Sequence, residues 1–245
     1  MKNRFIFDLD DTLINTQHRY SLALMKFVNF VYENLGPTAP GITEMLNLQS
    51  KIDLEAVTKK NFAMERFPTS LADTFEQLAI KMKKPQGQIV WGKKHSYRLG
   101  MEVYDADYWT DELIPGARDT LDFLSNKQDE LFLITMGDET VQKRKIEHYD
   151  LSQWFGNRTY IVPKEKGPTM KTLSENLDKS KVWYVGNSMR SDIIPALSCG
   201  IGAIYIPQST WAYDNHPNEN EEHPRKLTLD SIAEIITLYP SKFSN

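Results

Sequence analysis

Past Pro115-Gly116 the chain alternates short apolar runs with amphipathic stretches, and no other feature narrows its possible folds so far. Residues 131–135, 158–162, 182–185 and 203–206 have the length and apolar content of buried strands. Between and around them, residues 117–125, 141–149, 169–177 and 193–198 have helical spacing, the last stopped by Gly200. Parallel strands need long crossovers, and a helical crossover covers the sheet, so near-continuous apolar strands separated by helices imply a parallel sheet buried on both faces. Residues 5–9 form one more such strand, broken by the acidic pair Asp10-Asp11.

Residues from about 16 to 108 follow a different pattern. Leu22, Leu24, Phe27, Val28, Val31 and Leu35 recur at helical spacing and stop before Gly36-Pro37. Ser70-Leu-Ala-Asp73 has the spacing of a helix N-terminal box, with Phe75, Leu78 and Ile80 after it. Pro85 and Gly87 precede a further helical stretch through Trp91 and Leu99. The expected architecture is α/β: a Rossmann-like parallel sheet core of residues 1–15 and 109–245 with helices on both faces, and an inserted helical cap of residues 16–108.

Composition excludes several classes. With 40% apolar residues in 245 the chain can bury a real core, and a net charge of −4 gives no basic face for nucleic acid. The single cysteine, Cys199, excludes an internal disulfide and a cysteine-rich zinc module, and reads as a small buried apolar residue. No run approaches the roughly 18 apolar residues of a membrane span. Phe5-Ile6-Phe7 is too short for a signal peptide. A cytoplasmic protein with neither membrane nor nucleic acid as its main partner is expected.

In such a sheet ligands collect beyond the carboxyl ends of the strands. Asp8 and Asp10 fall there and, at period two, point to the same side. Crowded carboxylates repel each other, and a divalent cation relieves the repulsion; the alternative is a turn followed by a helix cap. The other strand ends carry Thr135-Met136-Gly137-Asp138, then Lys164 and Lys166 beside Gly167-Pro168, then residues 186–192 with Asn187 and Asp192. Carboxylates, a hydroxyl, an ammonium and oxygen ligands on one rim suit phosphoryl transfer, which depends on positioning and charge neutralisation.

Phe7-Asp8-Leu9-Asp10-Asp11-Thr12-Leu13 resembles the first motif (DxDxT) of the haloacid dehalogenase superfamily. Thr135 resembles the second motif, Lys166 (or Lys164) the third, and residues 186–192 the fourth, all in order. Residues 185–197, with Ile206-Pro207 and Thr210-Trp211, are similar to a branch with a Gly-Asn-Ser fourth motif, and the insert resembles a C1-type helical cap. The resemblance implies that Asp8 is a nucleophile forming an aspartyl-phosphate, and that Asp10 is its general acid and then base. It implies phosphate contacts from Asp11, Thr135, Met136, Gly137 and Lys166. Mg²⁺ would be held by Asp8, the Asp10 carbonyl, Asn187 and Asp192, the last through water or from a second layer. An acid at position 10 favours phosphate ester hydrolysis over dehalogenation. The fourth motif usually begins Gly-Asp, so Asn187 implies weaker metal binding. A Mg²⁺-dependent phosphatase acting on a small phosphorylated metabolite is therefore expected, with a phosphomutase or a catalytically silent binding protein as alternatives.

Other features carry less. Lys81, Lys83, Lys84, Lys93, Lys94, His95 and Arg98 make a locally basic zone that reads first as a solvated helix face. Arg19 lies within possible reach of a substrate. His216 and His223 sit in a Pro-rich polar stretch that reads as an exposed loop rather than a zinc site.

Overall fold

The computed structural model describes residues 2–109, 112–208, 213 and 221–244. β1 (Arg4–Phe7) leads to α1 (Gln17–Leu35), α2 (Ile42–Lys60), α3 (Arg66–Lys81) and α4 (Gln86–Met101). After α5 (Ala117–Asn126) come β2 (Glu130–Met136), α6 (Glu139–His148), α7 (Ser152–Phe155), β3 (Thr159–Val162) and α8 (Gly167–Ser174). The rest comprises β4 (Val182–Gly186), a single π-helical turn (Met189–Ile193), α9 (Ile194–Ser198), β5 (Gly202–Tyr205), β6 (Lys226–Thr228) and α10 (Glu234–Lys242). The chain divides into two compact units, residues 1–16 with 110–245, and residues 17–109.

The first unit holds a six-stranded sheet in the order β3-β2-β1-β4-β5-β6, with every pairing parallel. Phe7 is in register with Leu133 on one side and Val185 on the other. Strand order runs outward in both directions from β1 and β4, so the crevice between their carboxyl ends is the switch point at which such sheets bind ligands. Period-two alternation assigns the two faces. Phe5, Phe7, Leu131, Leu133, Trp183 and Val185 join one core with residues of α5, α7 and α10. Ile6, Phe132, Ile134, Val182 and Tyr184 join the other with Met170 of α8, Met189 and Ile193 of the π turn, and Ala196 of α9.

Residues 17–109 have a core of their own, including Phe27, Phe30, Val31, Phe67, Leu71, Phe75 and Leu99. Gly92 is required where α4 crosses α3, since a Cβ there would stand 2.0 Å from the Phe75 ring. Lys81 pairs with Glu44 and Lys93 with Asp73 and Glu76, so part of the basic zone is matched by acids.

Several sequence expectations are corrected. α3 begins at Arg66, so Ser70 is inside the helix and not at its N-terminal box. Its hydroxyl donates to the Phe67 carbonyl at 2.7 Å and accepts from Gln49 Nε2 at 2.8 Å, which removes the conflict between a buried hydroxyl and the helix. Leu22 is exposed, whereas Ala23 and Phe30 complete the buried face of α1. α8 starts at Gly167 and ends at Ser174, and the helix expected at residues 193–198 is preceded by the π turn. β6 and α10 were not expected. Cys199 is half-buried, with Sγ 3.7 Å from the Gly167 carbonyl oxygen. Among the described residues no helix is long and apolar enough to cross a membrane.

Candidate active site

Asp8 follows directly from β1, and its amide donates to the Val185 carbonyl at 2.9 Å, carrying the β1–β4 pairing one residue past the strand. Alternation puts its side chain on the face of Ile6, toward α8 and the π turn. Lys166, the residue capping α8, meets it there: Nζ lies 2.5 Å from Asp8 Oδ1 and 2.7 Å from Asp192 Oδ1. All three side chains are buried. The second Asp192 oxygen accepts from the Ser188 amide at 2.9 Å. Asp192 stands close enough to the strand end that only glycine fits at position 186, where a Cβ would lie 2.5 Å from Asp192 Cγ. The π turn makes this approach possible, widening the helix start so that Asp192 folds back on Gly186; such turns are concentrated at functional sites.

Two carboxylates share one ammonium here. Burial pushes Asp8 well above the usual carboxylate range, against the pull of Lys166. Burial also works against the Lys166 ammonium, but Asp192 and Asp8 outweigh it and hold it charged. With both carboxylates ionised the triad would carry a negative excess in a buried place, which is the state that burial resists at Asp8.

Asp10 is held from the other side. Lys145 Nζ lies 2.7 Å from its Oδ1, and Gln142 Nε2 lies 2.8 Å from its Oδ2. The same Gln142 nitrogen is 2.5 Å from Thr135 Oγ1 and 3.1 Å from the Met136 carbonyl oxygen. Thr135 is buried at the end of β2 on the Leu131 and Leu133 face, and α6 starts at Asp138, whose carboxylate accepts from the Thr140 and Val141 amides at 3.0 and 3.1 Å.

Asn187 closes the site. Its amide atom facing the aspartates is 3.1 Å from the Asp10 carbonyl oxygen, 3.3 Å from Asp8 Oδ2 and 3.2 Å from Thr12 Oγ1. With nitrogen inward, the amide serves these acceptors. With oxygen inward, three oxygens converge, an arrangement that a hard cation makes stable. Together with the negative excess on the Lys166 side, this donor set of one carboxylate, one backbone carbonyl and one amide fits Mg²⁺. Among the described residues no group of three or more His, Cys, Asp and Glu is arranged to hold a metal, so the mixed set alone carries that reading.

Of the residues singled out in the sequence, Asp8, Asp10, Thr135, Lys166, Asn187 and Asp192 come together at the switch point. Lys164 does not: it is exposed, 3.9 Å from Glu165. Asp192 spends both oxygens on Lys166 and Ser188 rather than facing the Asn187 cluster. Asp11 is corrected as a phosphate contact. Its carboxylate accepts from the Thr16 amide and hydroxyl, both at 2.8 Å, and its own amide donates to the Ile14 carbonyl, which closes the loop at φ 58°. The Gly137 amide is likewise taken, by the Val162 carbonyl at 3.1 Å, and the Met136 carbonyl faces Gln142. Arg19 belongs to the other unit, buried with its guanidinium 5.0 Å from the Trp109 ring centroid. His223 accepts from the Arg225 amide in an exposed turn, while His216, Thr210 and Trp211 lie outside the described residues. Gln142 and Lys145 were missed. Their only sequence signal is a polar pair three residues apart on a helix just after the Thr135 strand.

The family model of the haloacid dehalogenase-like hydrolases matches residues 3–200. No curated protein matches the sequence. Among solved structures, a haloacid dehalogenase-like hydrolase from Xanthomonas campestris is similar at 20% identity and TM-score 0.75, over 99% of this chain and 92% of that one. A predicted phosphoglycolate phosphatase from Haemophilus somnus is similar at 16% identity and TM-score 0.61, over 97% of each chain. A 2-haloacid dehalogenase from Pseudomonas syringae is similar at 17% identity and TM-score 0.53, over 98% of this chain and 99% of that one. One fold thus serves both phosphate and halide chemistry, and the side chains at the strand ends must decide between them.

Proposed function

The chain belongs to the haloacid dehalogenase-like hydrolases, and from that premise we propose that it is a Mg²⁺-dependent phosphatase of small phosphorylated metabolites, working in the cytoplasm, with residues 17–109 as its cap. The observation that carries this reading is Asp10, a second carboxylate two residues after Asp8 and held at the same strand end by Lys145 and Gln142. A departing halide is the anion of a strong acid and needs no proton, whereas a departing alkoxide does, and an acid in that place serves only the second case.

Asp8 attacks phosphorus, and the bond from phosphorus to the leaving oxygen breaks as Asp10 protonates that oxygen. Asp10 then takes a proton from the water that hydrolyses the aspartyl-phosphate. Lys166 keeps Asp8 oriented and offsets charge on the phosphoryl group, and Thr135 donates to one of its oxygens. Asp8 Oδ2, the Asp10 carbonyl and the Asn187 amide oxygen would hold Mg²⁺. When bound, the ion supplies positive charge that lets two anions approach each other.

Hydrolysis of p-nitrophenyl phosphate tests the reading. Release of nitrophenol that requires Mg²⁺ and disappears in Asp8→Asn is expected; release that Asp8→Asn leaves intact overturns it. The Asn187 amide supports a second reading, a silent binding protein, because with its nitrogen inward the cluster closes by hydrogen bonds alone. That reading wins if the wild type is inactive and Asn187→Asp creates activity.

A further inference from the structure

We infer that Gln142 and Lys145 of α6 are positioning residues that fix the aim of the Asp10 carboxylate and the Thr135 hydroxyl, so that one helix sets up both half-reactions. The inference rests on the phosphatase reading of the same site. Three residues apart, the two side chains leave the same face of α6. They bind different oxygens of Asp10, at 2.7 and 2.8 Å, so the carboxylate cannot turn without breaking one of the two hydrogen bonds. Both residues are buried, and an ammonium confined there by its carboxylate partner is a costly way merely to attach a helix. Gln142 Nε2 also occupies a lone pair of Thr135 Oγ1 at 2.5 Å, which turns the threonine proton toward another acceptor.

The chemistry makes separable demands on this clamp. In the first half-reaction the Asp8–phosphorus bond forms, the ester bond breaks, and the proton on Asp10 goes to the leaving oxygen. In the second, the water–phosphorus bond forms, the Asp8–phosphorus bond breaks, and a water proton returns to Asp10. Nitrophenolate leaves readily without a proton, whereas phenolate depends more on one. A misaimed Asp10 therefore spares the first step for the nitrophenyl ester and slows the second step for both esters.

Stopped-flow assays of Lys145→Met with Mg²⁺ should show a burst of about one nitrophenol per site, then turnover roughly a hundredfold below wild type. With phenyl phosphate no burst appears and the first turnover is slowed as well. Lys145→Arg should recover to within about tenfold of wild type, because it restores the charged donor. Gln142→Ala should show a weaker burst and supplies the test if Lys145→Met does not fold. Equal losses on both esters without a burst, or wild-type turnover, overturn the inference. Crystal structures of wild type and Lys145→Met give a readout that needs no activity: the Asp10 carboxylate should leave its place beside Gln142, and an unmoved carboxylate overturns the clamp. Absence of any Mg²⁺-dependent hydrolysis by the wild type would instead strike the phosphatase reading, with the crystallographic result still deciding the clamp.

Discussion

Lys166 and Lys145 reach the end of β1 from opposite faces of the sheet, and their surroundings differ. Lys166 stands between two buried carboxylates, and its side chain is 3% exposed. Lys145 faces the single carboxylate of Asp10, whose side chain is 29% exposed and shared with a neutral amide. The first arrangement leaves a negative excess that a cation can match, while the second is balanced in charge. Asp8 thus sits where two carboxylates compete for one cation, and Asp10 where a single carboxylate meets one cation and one neutral amide.

Substitutions can break or sharpen that contrast. The largest effect should come from Lys166→Met, which leaves Asp8 and Asp192 buried without their cation. We expect a loss of about 3–5 kcal/mol in urea denaturation and a fall in turnover of roughly a thousandfold or more. Lys145→Met should cost less stability, about 1–3 kcal/mol, because Asp10 retains Gln142 and some solvent; an equal loss would erase the distinction between the two faces. Asn187→Asp adds a further negative charge beside Asp8 for a cation to match and should tighten Mg²⁺ binding by about tenfold in calorimetry. Unchanged affinity would mean that position 187 does not face the ion. Lys164→Ala should shift stability by less than about 0.5 kcal/mol and leave turnover alone, as its ammonium lies in solvent.

The central strands were legible because strands buried on both faces must be apolar throughout, as Val182–Gly186 is. β6 was not: Lys226-Leu-Thr lies at the edge of the sheet beside β5, where its composition is less constrained than in a central strand. Ser70 misled because a hydroxyl beside an apolar run marks a helix start, and the partner that allows it inside a helix, Gln49, is 21 residues away. Asp8, Asp10 and Asn187 were legible from type and place. Asp11 carried the same charge and place, but its positive φ turns the carboxylate back into the loop. Gln142 and Lys145 act on Asp10 across 132 and 135 residues, a relation that helical periodicity cannot register.

The central position of β1 has a consequence for how the protein is made. Arg4 pairs with Glu130 on one side and with Val182 on the other, and the nearer partner is 126 residues downstream. At translation speeds of 5–20 residues per second the strand that leads to Asp8 waits about 6–25 s before either neighbour exists. During that interval Phe5, Ile6 and Phe7 are an unsatisfied, sticky segment, while the contiguous helices of residues 17–109 can already bury their own apolar side chains. The ribosome therefore releases β1 well before it can be zipped into place, so nascent chains stalled before β2 should bind chaperones through this segment.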